Sequence, residues 1–124
     1  MIKGIGIDLI EVSRMERWLC NTKLLEKYFH KDELLKIDLK GNGAQQSLAA
    51  RFAAKEAFGK ALGTGLANIS LKDIMITNDN NGKPELNVYH TAKEALEKSG
   101  ANRIHLSLTH EKNNAIAMVV LEKD

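Results

Sequence analysis

The sequence predicts a single α+β domain in which an antiparallel sheet packs on one long central helix. Three observations predict it. Ala44–Leu62 is mostly apolar or small, contains no proline and runs into Gly63, the pattern of a buried helix with a glycine stop. In Arg103–Thr109, Ile104, Leu106 and Leu108 alternate with His105, Ser107 and Thr109, the period of a strand. Ile74–Thr77 and Glu85–Tyr89 flank the polar turn Asn78–Pro84, a hairpin signature. Hairpin-linked strands mixed with helices favour α+β over a parallel α/β sheet.

Each element follows in order. Ile2–Leu9 reads as a strand, with Lys3, Ile5, Ile7 and Leu9 on one face and Ile2, Gly4, Gly6 and Asp8 on the other. The glycines beside Asp8 leave room for a ligand or another backbone. Ser13-Arg-Met-Glu16 fits a capping box, so a short helix is expected from Ser13. A second short helix or turn covers Lys23–Tyr28, and Asp32–Leu39 is a third helical candidate. Lys40–Gly43 is a loop; the long helix follows and closes at Gly63 and Gly65. Thr91 is placed to cap a helix running to Ser99, stopped by Gly100. A turn at Glu111–Asn114 leads into the apolar strand Ala115–Leu121. No linker, repeat or low-complexity segment divides the 124 residues, so 1–124 is read as one domain.

Charge and cysteine usage narrow the function classes. A net charge of +2 gives no large basic surface for nucleic acid. Residues 14–31 are locally basic, with Arg14, Arg17, Lys23, Lys27 and Lys31 against Glu16 and Glu26, which suits an acidic partner. Met15, Trp18 and Leu19 add apolar contacts that could dock an acidic amphipathic helix; the alternative is that Trp18 packs inward. Cys20 is the only cysteine, so an intramolecular disulfide is excluded. No secretory leader and no apolar stretch of membrane-spanning length is visible, and the expectation is a cytoplasmic protein that does not bind membranes.

The chemistry concentrates in the long helix. Glu56 shares its face with Ala49, Phe52, Ala53, Gly59 and Lys60. A carboxylate among such neighbours costs free energy unless a cation compensates it. Asp8, from a different element, could join Glu56 as a second oxygen ligand for Mg²⁺. The competing reading is that Asp8 caps the next turn and Glu56 pairs with Lys60 at i,i+4. Arg51, Lys55 and Lys60 form a cation set suited to a diphosphate, or else a solvated basic edge. His110, ending the alternating strand after Ser107-Leu-Thr, could bond a phosphate or a base. Gly59–Gly65 is not a P-loop, since its lysine precedes the glycine turn. Histidine and cysteine spacing does not suit zinc.

Gly4-Ile-Gly-Ile-Asp-Leu-Ile10 with Arg14, Arg51-Phe-Ala-Ala-Lys-Glu-Ala-Phe-Gly-Lys-Ala-Leu-Gly-Thr-Gly65, Gly82-Lys-Pro84 and Ser107-Leu-Thr-His110 together resemble the holo-acyl-carrier-protein synthases, the short 4′-phosphopantetheinyl transferases. The resemblance spans almost the whole chain in order. It implies transfer of 4′-phosphopantetheine from coenzyme A to a serine of acyl carrier protein, releasing adenosine 3′,5′-bisphosphate, in fatty acid biosynthesis. It implies the 4′-phosphopantetheinyl transferase-like fold in a homotrimer with active sites between subunits. Carried over, Asp8 and Glu56 resemble the Mg²⁺ ligands, and Glu56, directly or through water, is the candidate base. Lys60 resembles the cation on the diphosphate. Arg51 and His110 resemble coenzyme A contacts, and Gly63-Thr64-Gly65 the turn bordering the ligand. Arg14, Arg17 and Trp18 belong to the helix that resembles the carrier-docking surface. Family members often carry Lys or Arg just before the long helix; here Lys40–Gln46 has only Lys40. A non-catalytic carrier- or nucleotide-binding module and a different Mg²⁺-dependent phosphate-cleaving enzyme are the competing classes. The carboxylate pair argues against the first, and the basic docking helix against the second.

Overall fold

A computed structural model describes all 124 residues. In chain order the elements are β1 (Ile2–Glu11), α1 (Arg14–Leu19), α2 (Thr22–Tyr28), α3 (Lys31–Leu35), α4 (Ala44–Leu62), a 3-10 turn at Leu71–Asp73, β2 (Ile74–Asn78), β3 (Pro84–Val88), α5 (His90–Ser99), β4 (Arg103–His110) and β5 (Asn114–Glu122). The α+β reading and the bounds of the long helix hold. The strands form two antiparallel sheets, a three-stranded one ordered β1-β5-β4 and the β2-β3 hairpin.

β1 meets α4 with Gly4 and Gly6, while Ile5 and Ile7 face away. Its register places Gly4, Gly6, Asp8 and Ile10 opposite Leu121, Val119, Ala117 and Ala115 of β5, and those four β5 side chains are buried. A Cβ at Gly4 or Gly6 would lie 1.9 Å from the carbonyl oxygen of Ala61 or Ala57. The room left by the glycines is therefore filled by the α4 backbone. Alanines on α4 complete the close approach, with Ala49, Ala53, Ala54 and Ala57 wholly buried. Ile5, Ile7 and Leu9 consequently lie on the outer face at 61%, 59% and 55% exposure. They pair there with Val120, Met118 and Ile116 of β5.

Gly63 ends α4 in the left-handed region at φ 83°, and its N–H bonds the Lys60 carbonyl. That conformation favours glycine over any residue with a Cβ. Gly100 ends α5 in the same way.

Three local expectations are corrected. Ser13 is helical in its own backbone (φ −60°, ψ −23°) and caps nothing with its side chain, so no capping box forms there. Asp32–Leu39 becomes Lys31–Leu35: His30 caps its start, its Nδ1 accepting the Asp32 N–H while Glu33 accepts the His30 N–H, and the Lys36 N–H bonds back to the Glu33 carbonyl where the helix ends. Tyr89, not Thr91, precedes α5. The Thr91 hydroxyl is bonded instead to Asp73 and to the Ser70 N–H, which ties α5 to the turn before β2.

Candidate active site

Asp8 and Glu56 are brought together by the contact between β1 and α4. Asp8 lies two residues beyond Gly6 on the inward face of β1, and Glu56 precedes Ala57, whose carbonyl Gly6 touches. Asp8 is 13% exposed in its side chain. One of its oxygens, Oδ1, accepts a 2.8 Å hydrogen bond from Lys60 Nζ; the other, Oδ2, is buried without a partner. Glu56 is half-buried and has no ion-pair partner. Burial, and then the Asp8 charge, raise its pKa above the usual glutamate value, while Lys60 and Arg14 pull it back. Neither competing reading from sequence holds, since Asp8 does not cap a turn and Lys60 pairs with Asp8 rather than Glu56.

The cation set divides. Lys60 Nζ is bonded to Asp8 and, at 3.1 Å, to the Ile7 carbonyl, and the Asp8 contact raises its pKa. Lys55 leaves the set altogether: it is wholly buried and paired with Glu33 at 2.7 Å. Its position on the inner side of α4 is the physical reason, since an ammonium there needs a counter-charge from the protein itself.

Arg51 and His110 do converge. Both line a cleft of about 650 Å³ together with Asn42, Gln46, Ser47 and Asn78. Arg51 donates to Ser47 Oγ at 2.6 Å, while its Nε and the Gln46 Oε1 are buried without protein partners. Burial lowers the Arg51 pKa, and the Glu33 charge opposes that. Gly82 and Pro84 of the hairpin form part of the same cleft. The Gly63–Gly65 turn is elsewhere, at the far end of α4, where Thr64 lines a separate cleft against α5 with Thr91, Glu94 and Lys98.

Arg14 and Arg17 are exposed on α1. The Arg14 guanidinium stands 5.6 Å from the centroid of the Phe52 ring. Trp18 is only 7% exposed; it stacks on Tyr28 at 5.2 Å and meets Phe52 edge-on at 4.9 Å. Its large apolar ring is better buried among aromatics than held in water, so Trp18 supports α1 from beneath instead of presenting a contact.

Sequence reasoning missed Glu33, Gln46 and Ser47. Glu33 was marked by the His30-x-x-Glu33 spacing of a capping box, and Ser47 stands one helical turn before Arg51.

The chain matches the 4′-phosphopantetheinyl transferase superfamily over residues 4–119. It is 59% identical to a holo-[acyl-carrier-protein] synthase of Treponema denticola, over 98% of this chain and 99% of that one. A Geobacter synthase is 45% identical, covering 99% of this chain and all of its own. Among solved structures, a Bacillus anthracis synthase in complex with CoA (3′,5′-ADP) is similar at TM-score 0.84 and 40% identity, covering 100% and 99% of the two chains. A Neisseria meningitidis synthase reaches TM-score 0.88 at 36% identity, covering 99% and 100%.

Proposed function

The chain belongs to the 4′-phosphopantetheinyl transferase superfamily and is a phosphopantetheinyl transferase; from that premise we propose that it moves 4′-phosphopantetheine from coenzyme A to a serine of apo acyl carrier protein, in a Mg²⁺-dependent reaction serving fatty acid biosynthesis in the cytoplasm. The observation that carries the reading is the Asp8–Glu56 pair, with a buried Asp8 oxygen that no protein group satisfies. Two oxygen donors from separate elements, one of them orphaned, fit a hard divalent cation. When bound there, Mg²⁺ supplies charge neutralisation to the diphosphate.

The residues of the chain do the rest. Glu56 is the candidate base: half-buried beside Asp8, its carboxylate accepts the serine proton, directly or through water. The serine oxygen forms a bond to the phosphorus that carries pantetheine. The bond from that phosphorus to the bridging oxygen breaks, and adenosine 3′,5′-bisphosphate leaves. Lys60, exposed beside Asp8, supports the negative charge on the departing phosphate. The Arg51–His110 cleft takes a phosphate of coenzyme A, with Gln46 and Ser47 as neutral donors beside Arg51. The Gly63–Thr64–Gly65 turn borders the ligand from the other end of α4. Arg14 and Arg17 dock the acidic carrier, and Trp18 sets the height of their helix.

A homotrimer accounts for the apolar outer face of the sheet. Ile5, Ile7, Leu9 and Met118 form a contiguous exposed patch on β1 and β5, of the kind that soluble proteins cover by association. The decisive experiment incubates the protein with coenzyme A, Mg²⁺ and folded apo acyl carrier protein and weighs the carrier. A gain of one phosphopantetheine supports the reading; an unchanged mass refutes it.

A further inference from the structure

We propose that Glu33 and Lys55 are positioning residues for the Arg51–His110 cleft, a buried ion pair that fixes one cleft wall and the direction of Arg51. The inference rests on the reading of that cleft as a coenzyme A phosphate site. Lys55 donates to Glu33 Oε1 at 2.7 Å, to the Tyr28 carbonyl at 2.8 Å and to the Leu71 carbonyl at 3.0 Å, so each ammonium proton has an acceptor. Glu33 Oε1 also accepts the His30 N–H at 3.0 Å, and Oε2 accepts the Ile76 N–H at 3.1 Å. One pair thus ties together the end of α2, α3, α4, the 3-10 turn and β2.

Two of these ties bear on the cleft. Ile76 forms part of its wall, and β2 pairs only with β3, so the Glu33 bond anchors the otherwise open edge of β2. Arg51 lies one turn before Lys55 on α4 and feels the Glu33 carboxylate. Its only protein hydrogen bonds are to Ser47, leaving Nε free within the buried part of the cleft. Stability alone does not call for charges here. An ion pair removed from water is often no better than apolar side chains of equal volume, although losing one partner is severe. What a carboxylate holding three hydrogen bonds adds is direction, because each bond fixes an angle that packing leaves loose.

The test is E33Q/K55M, which removes both charges and strands neither. Transfer is measured with coenzyme A and apo acyl carrier protein varied separately, alongside thermal melting. The expected result is a folded enzyme whose KM for coenzyme A rises on the order of tenfold, with kcat and the carrier KM little changed. R51A raises the same KM, and in the triple variant the combined effect falls short of the product of the two, because the pair acts through Arg51. An unmoved coenzyme A KM in the folded double variant, or effects that simply multiply, overturns the proposal. If R51A alone leaves the coenzyme A KM unchanged, the reading of the cleft fails first and the proposal falls with it. Should the double variant melt early, E33D keeps the charge but shortens the reach to Ile76; a KM for coenzyme A equal to wild type in that variant is equally fatal.

Discussion

Lys60 Nζ lies 2.8 Å from Asp8 Oδ1, so a side chain near the end of α4 reaches across to β1 and takes one oxygen of the carboxylate pair. In the protein without metal, Lys60 and a divalent cation compete for Asp8. K60Q should therefore bind Mn²⁺ on the order of two- to fivefold more tightly in the absence of coenzyme A, the modest size reflecting an exposed lysine. Its kcat should nonetheless fall by about 10²–10³-fold, because a cation on the developing phosphate charge is lost. Electron paramagnetic resonance titration of Mn²⁺ reads the first effect; weaker binding in K60Q would count against the competition.

Glu56 should hold its proton to higher pH than a free glutamate in the metal-free protein, first through burial and then through Asp8. D8N removes the second cause and should lower that pKa. The linkage sign follows: a carboxyl whose folded pKa is raised adds stability at low pH that is lost as pH rises through the folded value. E56Q should flatten this part of the stability profile and nearly abolish transfer while the fold survives. Carboxyl ¹³C NMR and melting against pH measure both; a fully active E56Q excludes the ligand and base roles together.

G6A should be among the most damaging small substitutions. Its Cβ would press on the Ala57 carbonyl, a backbone atom that cannot swing aside. Overpacking of this kind costs roughly 1–3 kcal/mol, and here it also parts Asp8 from Glu56. Melting temperature and Mn²⁺ affinity should fall together; loss of one without the other would separate the two effects.

R14E should raise the KM for acyl carrier protein about tenfold and leave that for coenzyme A nearly unchanged, since the guanidinium faces solvent above Phe52. W18A should instead destabilise the fold by about 3–5 kcal/mol, the usual cost of emptying a buried aromatic site. Steady-state kinetics and denaturant melts distinguish the two residues of one short helix.

I7D places a charge at the centre of the apolar outer face, directly opposite Met118. Sedimentation should show the proposed trimer giving way to monomer, with transfer lost. An unchanged sedimentation coefficient would mean the patch is not a subunit contact.

What the sequence made legible was whatever depends on local pattern. Ala44–Leu62, the Gly63 stop and the alternation of Arg103–Thr109 follow from periodicity, and each stands where expected. Asp8 and Glu56 could be suspected because each was an anomaly in its own element. Partners set by tertiary packing were not legible. Nothing near Lys55 in the chain announces Glu33, and the ring of Trp18 could face either way until Tyr28 and Phe52 closed around it. The faces of β1 were legible, but not which one turned inward, because a helix lined with alanine rewards the face with the smallest side chains.

The pairing of β1 has a consequence for synthesis on the ribosome. Its only strand partner is β5, and Ile2 meets Glu122. The strand that carries Asp8 is made before β5 and stays without its only strand partner until β5 follows. Long-range pairing of this kind is slow and exposes apolar segments to misassociation. A nascent chain stalled before β5 would hold Asp8 on a strand without its ladder partner, so the Asp8–Glu56 pair is held firmly in place only once β5 has joined the sheet.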